Sequence, residues 1–256
     1  MTSPPRRLLF VGGATLLAAL ASGCVAADGT ATIPNVGIGP GAPQAPGGAA
    51  TGVQLLVLLT VLSIAPALLI MVTSFTRTIL VLSLVRNAIG VPQLPPNQVL
   101  LGLAFLLTVF VMAPVWKTVN TEALQPYLAG QLPQAEALRK AEAPVRKFML
   151  AQTRESDLTL FVNLSREARP NTVDDVPTYV VIPSFLTSEL KTAFLMGFII
   201  FVPFLVIDIV VSSALLAMGM MMLPPVVVSL PFKILLFVLV DGWGLIIGSL
   251  VSSFVT

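Results

Sequence analysis

Residues 203–243, "PFLVIDIVVSSALLAMGMMMLPPVVVSLPFKILLFVLVDGW", contain two long apolar arms on either side of a short turn. The turn, "MGMMMLPP" at 218–225, holds four methionines, one glycine and two prolines. Glycine and proline favour bends and end helices. The stretch therefore predicts a helical hairpin whose tip is rich in methionine.

Each arm carries an ionisable side chain among apolar residues. Asp208 and Lys233 lie at comparable distances from the turn. Because a buried charge is costly unless it is paired, we expect the two to pair, within one chain or between chains. The pair fits an assembly or gating salt bridge and a purely structural ion pair equally well. A proton relay is less favoured, since relays usually contain several spaced carboxylates or a histidine.

The methionines at the tip allow two interpretations. Methionine is flexible and polarizable, and it commonly fills irregular gaps in a core. On a helix, however, Met218, Met220, Met221 and Met222 would point around most of the circumference instead of along one packing stripe. A soft apolar loop repeated around a symmetry axis could form a closable ring that excludes water.

The composition indicates a membrane protein and lowers the probability of several other classes. The chain has 256 residues, of which 56% are hydrophobic and 10% are charged, whereas soluble domains carry about 25% charged residues. It has no histidine and one cysteine, Cys24, so we expect no metal site, no cofactor and no enzyme activity. Asp174 and Asp175 are interpreted as a solvated turn. No basic run with interleaved aromatic residues suggests nucleic acid.

Four apolar segments are long enough to cross a bilayer as helices, which takes about 20 residues. Each contains a proline, which is tolerated in membrane helices where neighbours satisfy the freed carbonyl. The predicted fold is therefore all-α, built from kinked, proline-broken helical hairpins of membrane type. The segments lie at about 53–75, 99–119, 192–217 and 226–254.

The N-terminal residues have the pattern of a secretory signal: Arg6 and Arg7, an apolar stretch, and small residues before Asp28. Cleavage after Ala27 is favoured, with lipidation of Cys24 or an uncleaved anchor as alternatives. The predicted organisation is a signal peptide at 1–27, a flexible Gly/Pro-rich linker at 28–52, a first apolar hairpin at 53–119, a polar helical region at 120–191 and a second apolar hairpin at 192–256.

Charge predicts the orientation of the chain. Residues 76–97 carry Arg77 and Arg86 but no acid, so we expect a cytoplasmic loop there. The charge-balanced region 120–191 is then periplasmic. In that region we expect Pro144 to kink a solvated helix or end its first half, and residues 169–183 to form a turn-rich connector with a short extended piece.

Five motifs together resemble one family: "PPNQVL", "SELKTAF", "PFLVIDIV", "GMMMLPP" and "PFKILLFVLVDGW". The stretches at 73–115 and 182–254 are similar to the two blocks shared by the FliP/SctR family of type III secretion export gate proteins. The resemblance implies a subunit of the flagellar export gate in the bacterial inner membrane, at the flagellar basal body. It also implies a ring-like helical homo-oligomer, a pentamer, that passes unfolded flagellar subunits. The implied partners are FliQ and FliR, FlhB and FlhA, the assembly factor FliO, and membrane lipid.

The resemblance also assigns residue roles. The four methionines match the family's gasket at the pore constriction, and Asp208 with Lys233 matches positions of polar contacts for assembly. Glu189 and Asp241 are further candidates for such contacts. The resemblance implies that part of the assembly lies on the periplasmic side, so hydropathy overstates the number of lipid crossings. Alternatives are an injectisome gate subunit, whose family members usually lack a cleavable signal, and a stand-alone transporter or channel, which would predict internal repeats.

Overall fold

A computed structural model of the protein describes residues 48–91, 93–166, 170, 172–220 and 222–254, without the side chains of 48–52 and 54. Cys24, the predicted signal peptide and Met221 lie outside the described residues. The chain divides into two compact units, 1–58 and 59–256. Only residues 48–58 of the first unit are described, and the packing reported below concerns the second.

The described residues form helices joined by short turns, and they contain no strand, which confirms the all-α prediction for this part of the chain. A π-helical turn, Asn120–Leu124, follows α3, and a 3₁₀ turn, Val173–Asp175, precedes α7. The helices are α1 (Gly48–Met71), α2 (Phe75–Ile89), α3 (Asn97–Val119), α4 (Gln125–Leu128), α5 (Gln134–Gln152), α6 (Glu155–Ser165), α7 (Thr178–Ala217), α8 (Pro225–Leu239) and α9 (Gly242–Ser252).

Two described stretches are long and apolar enough to cross a membrane as single helices, Asn97–Leu128 and Thr178–Ala217. Two further candidates are bent pairs: α1 with α2, at 61°, and α8 with α9, at 63°. The apolar segment at 226–254 is therefore two helices. Prolines lie inside α1, α3, α7 and α8 without ending them, including Pro203 in the middle of α7.

Helix α2 lies at the centre of the main core and packs most extensively against α7 and then α3. Its buried face, which includes Val81, Leu82 and Val85, is fully enclosed. Helix α7 comes closest at Gly197, where an added Cβ would lie 2.2 Å from Leu84 Cδ1 and 3.0 Å from Leu84 Cβ. Glycine is therefore required at 197 for the two helices to approach this closely.

Replacing Gly197 with alanine should lower the free energy of unfolding by about 1–3 kcal/mol, because the new methyl group overlaps Leu84. Thermal unfolding in mild detergent measures the loss. The matched control is Gly102→Ala in α3, where a Cβ would meet nothing within 4 Å; it should be neutral or stabilising. If Gly197→Ala were as stable as the control, the close approach of α2 and α7 would be wrong.

A smaller core joins α5, α6 and the first turns of α7. It buries Met149, Val176, Val180, Val181 and Phe185. Arg146 in α5 fixes the connector, since its Nη2 donates to the carbonyl of Asp174 at 2.9 Å and its Nη1 donates to Thr178 Oγ1 at 3.0 Å. The polar region predicted at 120–191 thus contains helices that pack against the first turns of α7.

The structure departs from some local expectations and agrees with others. Residues 76–97 are mostly helix α2 rather than a loop, because α2 supplies the central face of the core. Of the two expectations for Pro144, a kink or an end, the end is wrong, because α5 continues from Gln134 to Gln152. Lys140, whose carbonyl loses its donor, is an exposed residue, so water can satisfy that carbonyl. The described part of 169–183 contains a 3₁₀ turn and the start of α7, and between them Val176 and Pro177 are extended, in agreement with the expected short extended piece. The expected boundary at 191/192 falls inside α7.

Candidate functional site

The methionine turn, defined as residues 218–223, begins with a Schellman ending of α7. Gly219 has φ +73°, its N–H donates to the Leu216 carbonyl at 3.0 Å, and the Met220 N–H donates to the Leu215 carbonyl at 2.9 Å. Both bonds satisfy carbonyls that a helix end leaves free, and glycine adopts this left-handed conformation without strain. Glycine at position 219 is therefore explained by the left-handed backbone conformation that the turn requires there.

The turn exposes its apolar side chains. Met222 is 98% exposed, Met218 is 65% exposed and Met220 is 43% exposed. Nothing in the described part of this chain covers Met222. Large exposed apolar groups in contiguous patches usually mark a surface that meets another protein or lipid.

Asp208 and Lys233 lie in contact across the α7–α8 hairpin of one chain. Lys233 Nζ donates to Asp208 Oδ2 at 2.7 Å, and Ser229 Oγ donates to Asp208 Oδ1. Ser229 and Lys233 are fully or almost fully buried, whereas a quarter of the Asp208 side chain remains exposed. Ser229 and Lys233 are four residues apart on α8, so they project from the same face and hold both carboxylate oxygens.

The Lys233 ammonium also lies beside the end of α2. A Cβ on Gly90, the left-handed residue that ends this helix, would be 3.7 Å from Lys233 Nζ. Helix C-termini carry a partial negative charge, which favours a nearby cation. Lys233 therefore joins α7, α8 and α2 at one point.

Arg77 forms a second buried polar cluster, which we name the Arg77 clamp: Arg77, Gln152, Glu189 and Ser253 with the ring of Phe254. Arg77 is 2% exposed and Glu189 is 0% exposed. Arg77 Nε donates to Glu189 Oε2 at 2.9 Å, and its Nη2 donates to Glu189 Oε1. This is a bidentate arginine–carboxylate pair, which is geometrically specific.

The remaining guanidinium donors in the clamp are also satisfied. Nη2 donates to Gln152 Oε1 at 3.2 Å, while Nη1 donates to the Ser253 carbonyl at 3.2 Å and to Ser253 Oγ at 3.0 Å. With the two bonds to Glu189, all five N–H donors of an arginine have an acceptor. The Phe254 ring centroid lies 4.0 Å from Arg77 Cζ. One side chain thus connects α2, α5, α7 and the residues after α9.

The clamp corrects the expectation that Arg77 lies in a cytoplasmic loop. A buried carboxylate 112 residues away makes its burial possible, and counting cations in a loop cannot detect such a partner. One signal was available, since Arg77 and Glu189 are opposite charges in largely apolar stretches, although Lys191 lies two residues after Glu189. Arg86 lies in the last turn of α2, and its Nη1 donates to Asn97 Oδ1 at the start of α3.

Asp241 lies at the bend between α8 and α9. It has φ +50°, a left-handed conformation that aspartate adopts more readily than most residues. A Cβ on Gly244 would be 2.3 Å from Asp241 Oδ2, so its carboxylate lies over the first turn of α9, where negative charge is favourable. Within the described residues, no group of three or more His, Cys, Asp and Glu side chains could hold a metal ion.

Comparison with known proteins identifies the family. The FliP family model matches residues 58–250, which include the methionine turn, the Asp208–Lys233 pair and the Arg77 clamp without Ser253 and Phe254. The chain belongs to the FliP family. FliP homologues are flagellar biosynthesis proteins, and this chain has helices able to span a membrane.

Relatives called "Flagellar biosynthetic protein FliP" match most of the chain. That of Bacillus subtilis (strain 168) is 55% identical over 202 residues, which cover 79% of this chain and 91% of the relative. That of Pectobacterium carotovorum subsp. carotovorum is 57% identical and covers 79% and 78%. That of Caulobacter vibrioides (strain ATCC 19089 / CIP 103742 / CB 15) is 50% identical over 241 residues and covers 94% and 89%.

Proposed function

We propose that this FliP-family chain is a channel-forming subunit of the flagellar type III export gate, and that its methionine turn closes the channel. The observation that carries the proposal is the methionine turn itself: a Schellman bend that presents Met218, Met220 and Met222 outward, at the tip of a hairpin fixed by a buried ion pair. Methionine repacks without a fixed shape, so a ring of such tips would seal around irregular contents.

The exposed apolar faces of the long helices support an assembly. Phe105, Leu106 and Phe110 of α3 are more than 60% exposed, and so are Phe198 and Ile199 of α7. Surfaces of this kind need lipid or other chains to cover them. We assign them to copies of the same chain, a homopentamer, and to FliQ and FliR, with membrane lipid around part of the complex.

The remaining partners and the location follow from the same assignment. FlhB and FlhA would complete the export apparatus and FliO would assist assembly, at the basal body in the inner membrane. The cargo would be unfolded flagellar subunits, and the chain would act as a conduit rather than an enzyme. In the ion pair of Asp208 and Lys233, a quarter of the Asp208 side chain remains exposed. Asp208 is therefore positioned to accept a hydrogen bond from a neighbouring chain. Glu189 acts inside the chain, through the Arg77 clamp.

Replacing Met220, Met221 and Met222 together with alanine should leave assembly intact and make the closed gate leak small ions. Alanine removes the flexible, polarizable volume that the seal needs, while Gly219 and the Schellman bend remain. Ion flux into vesicles that contain the purified complex measures the leak.

The matched control changes exposed apolar residues away from the turn, Leu138 and Leu164, to alanine. Both are more than 60% exposed, on α5 and α6, and their replacement should leave the flux unchanged. Equal ion flux in the methionine variant and the parent complex would rule out the seal.

A further inference from the structure

Helices α8 and α9 form a rigid elbow, with its corner at residues 240–242. The helices are bent by 63°, and the rings of Phe237 and Trp243 meet edge to face at 5.4 Å between centroids. A Cβ on Gly242 would lie 2.3 Å from the Phe237 ring. Because the corner has no spare volume, α8 and α9 are expected to move as one body.

Two polar clusters hold this elbow to the rest of the protein. On the α8 arm, Lys233 and Ser229 hold Asp208 of α7. Beyond the far end of α9, Ser253 and Phe254 hold Arg77 of α2. Between them the elbow is held by apolar packing, with Ile246 and Leu250 buried. Packed apolar helices can slide by small amounts, whereas directional hydrogen bonds fix one position.

The contacts of Ser253 and Phe254 can open without breaking the buried ion pair. Their loss would leave Arg77 its two bonds to Glu189 and its bond to Gln152. It would free the two Nη1 bonds and the ring contact, which are individually modest interactions. Release would also expose the Phe254 ring, which is 8% exposed in the main core, but it would leave the arginine–carboxylate pair of the clamp intact.

Space adjoins Phe254. Phe254 and Gln152 line an open cavity of about 460 Å³ that also has Thr118, Glu122 and Lys147 in its wall. The polar side chains in its wall can hold water, which would satisfy the guanidinium donors that Ser253 leaves once the ring has moved. The Phe254 ring is stacked on Phe148, with centroids 6.3 Å apart, and it separates this cavity from the guanidinium.

We propose that Ser253 and Phe254 form a releasable strap, which locks the α8–α9 elbow to the Arg77 clamp and so holds the methionine turn in its closed position. The turn lies at the other end of the elbow, directly before α8. The link to gate closure rests on the proposed function, whereas the strap itself rests on the contacts of Arg77. Release of the strap would free one end of the elbow while Lys233 and Asp208 still hold the other.

The first test is Phe254→Ala in the full chain, purified as its complex in mild detergent, with amide hydrogen exchange as the readout. Amides of α9 should exchange about tenfold faster. The variant loses the ring contact with Arg77 and weakens the bonds from Arg77 Nη1 to Ser253, so α9 opens locally at a lower free-energy cost. Amides at 193–200 in α7 should be unchanged. Phe254→Leu keeps most of the apolar volume but not the aromatic face. Its exchange rate in α9 should therefore lie between those of Phe254→Ala and the parent protein.

Ser253→Ala is the milder variant, to be used if Phe254→Ala does not fold. It removes one acceptor and should speed exchange in α9 about fivefold. Equal loss of protection in α9 and α7 would show a purely structural contact and overturn the strap, as would unchanged exchange in α9.

The coupling to the gate is tested in the vesicle assay for ion flux. Strap variants should leak ions, as the methionine variant should. If the methionine variant leaks and the strap variants do not, the coupling is overturned while the proposed function stands. If neither leaks, the proposed function and the coupling both fail, and hydrogen exchange alone decides whether the strap exists.

Discussion

Arg77→Ala should lower the free energy of unfolding by about 3–5 kcal/mol, the largest single loss that we expect. The change leaves the carboxylate of Glu189, which is 0% exposed, without its cationic partner. Gln152 and Ser253 also lose the hydrogen bonds that Arg77 donates to them. Arg77→Lys should not restore the stability, because an ammonium lacks the planar fork that contacts both carboxylate oxygens. Thermal unfolding in mild detergent, with the amount of folded protein in the membrane, measures both effects.

An exposed ion pair provides the control for Arg77. Lys140 and Glu136 lie 3.7 Å apart on α5, with side chains 46% and 41% exposed. Lys140→Ala removes the same charge and should cost about 0–1 kcal/mol. If Arg77→Ala were no worse than Lys140→Ala, the Arg77 clamp would not exist in the protein.

Asp208→Ala should lower stability by about 2–3 kcal/mol and should impair export. It leaves the buried Lys233 ammonium without its carboxylate and Ser229 without an acceptor. The loss should be smaller than at Arg77, since a quarter of Asp208 is in contact with solvent. Unfolding in detergent measures stability, and swimming in soft agar measures export.

A double variant separates structure from function at this pair. Asp208→Leu with Lys233→Met replaces both charges by apolar groups of similar volume, which is often neutral or stabilising. We expect the double variant to recover most of the stability that the single variant loses but to remain impaired in motility, because a neighbouring chain would still lack the partly exposed side chain of Asp208. Normal motility in the double variant would make the pair purely structural.

The hairpin at 203–243 could be predicted because its signals are local. Gly219 and the two prolines define a turn within a few residues, and Asp208 and Lys233 flank it in sequence. The left-handed φ of Gly219 and the two hydrogen bonds after α7 are the physical basis of that signal. Turn chemistry and helix periodicity need no knowledge of the rest of the fold.

The Arg77 clamp could not be predicted in the same way. Its members lie at 77, 152, 189 and 253–254, on elements that meet only after the chain has folded. From hydropathy and the number of cations, Arg77 is predicted to lie in a loop. In the structure it lies on α2, the central helix, where it is buried. Pro144 shows the same limit, since a proline predicts either a kink or a helix end and the surroundings decide whether the helix continues.

The most direct test of the proposed export gate is the native mass of this chain after co-expression with FliQ and FliR and purification in mild detergent. We predict a large complex that contains several copies of this chain together with both partners, which would place the exposed methionine turns around a common axis. A monomer or dimer that associates with neither partner would contradict the gate and favour a transporter that works alone.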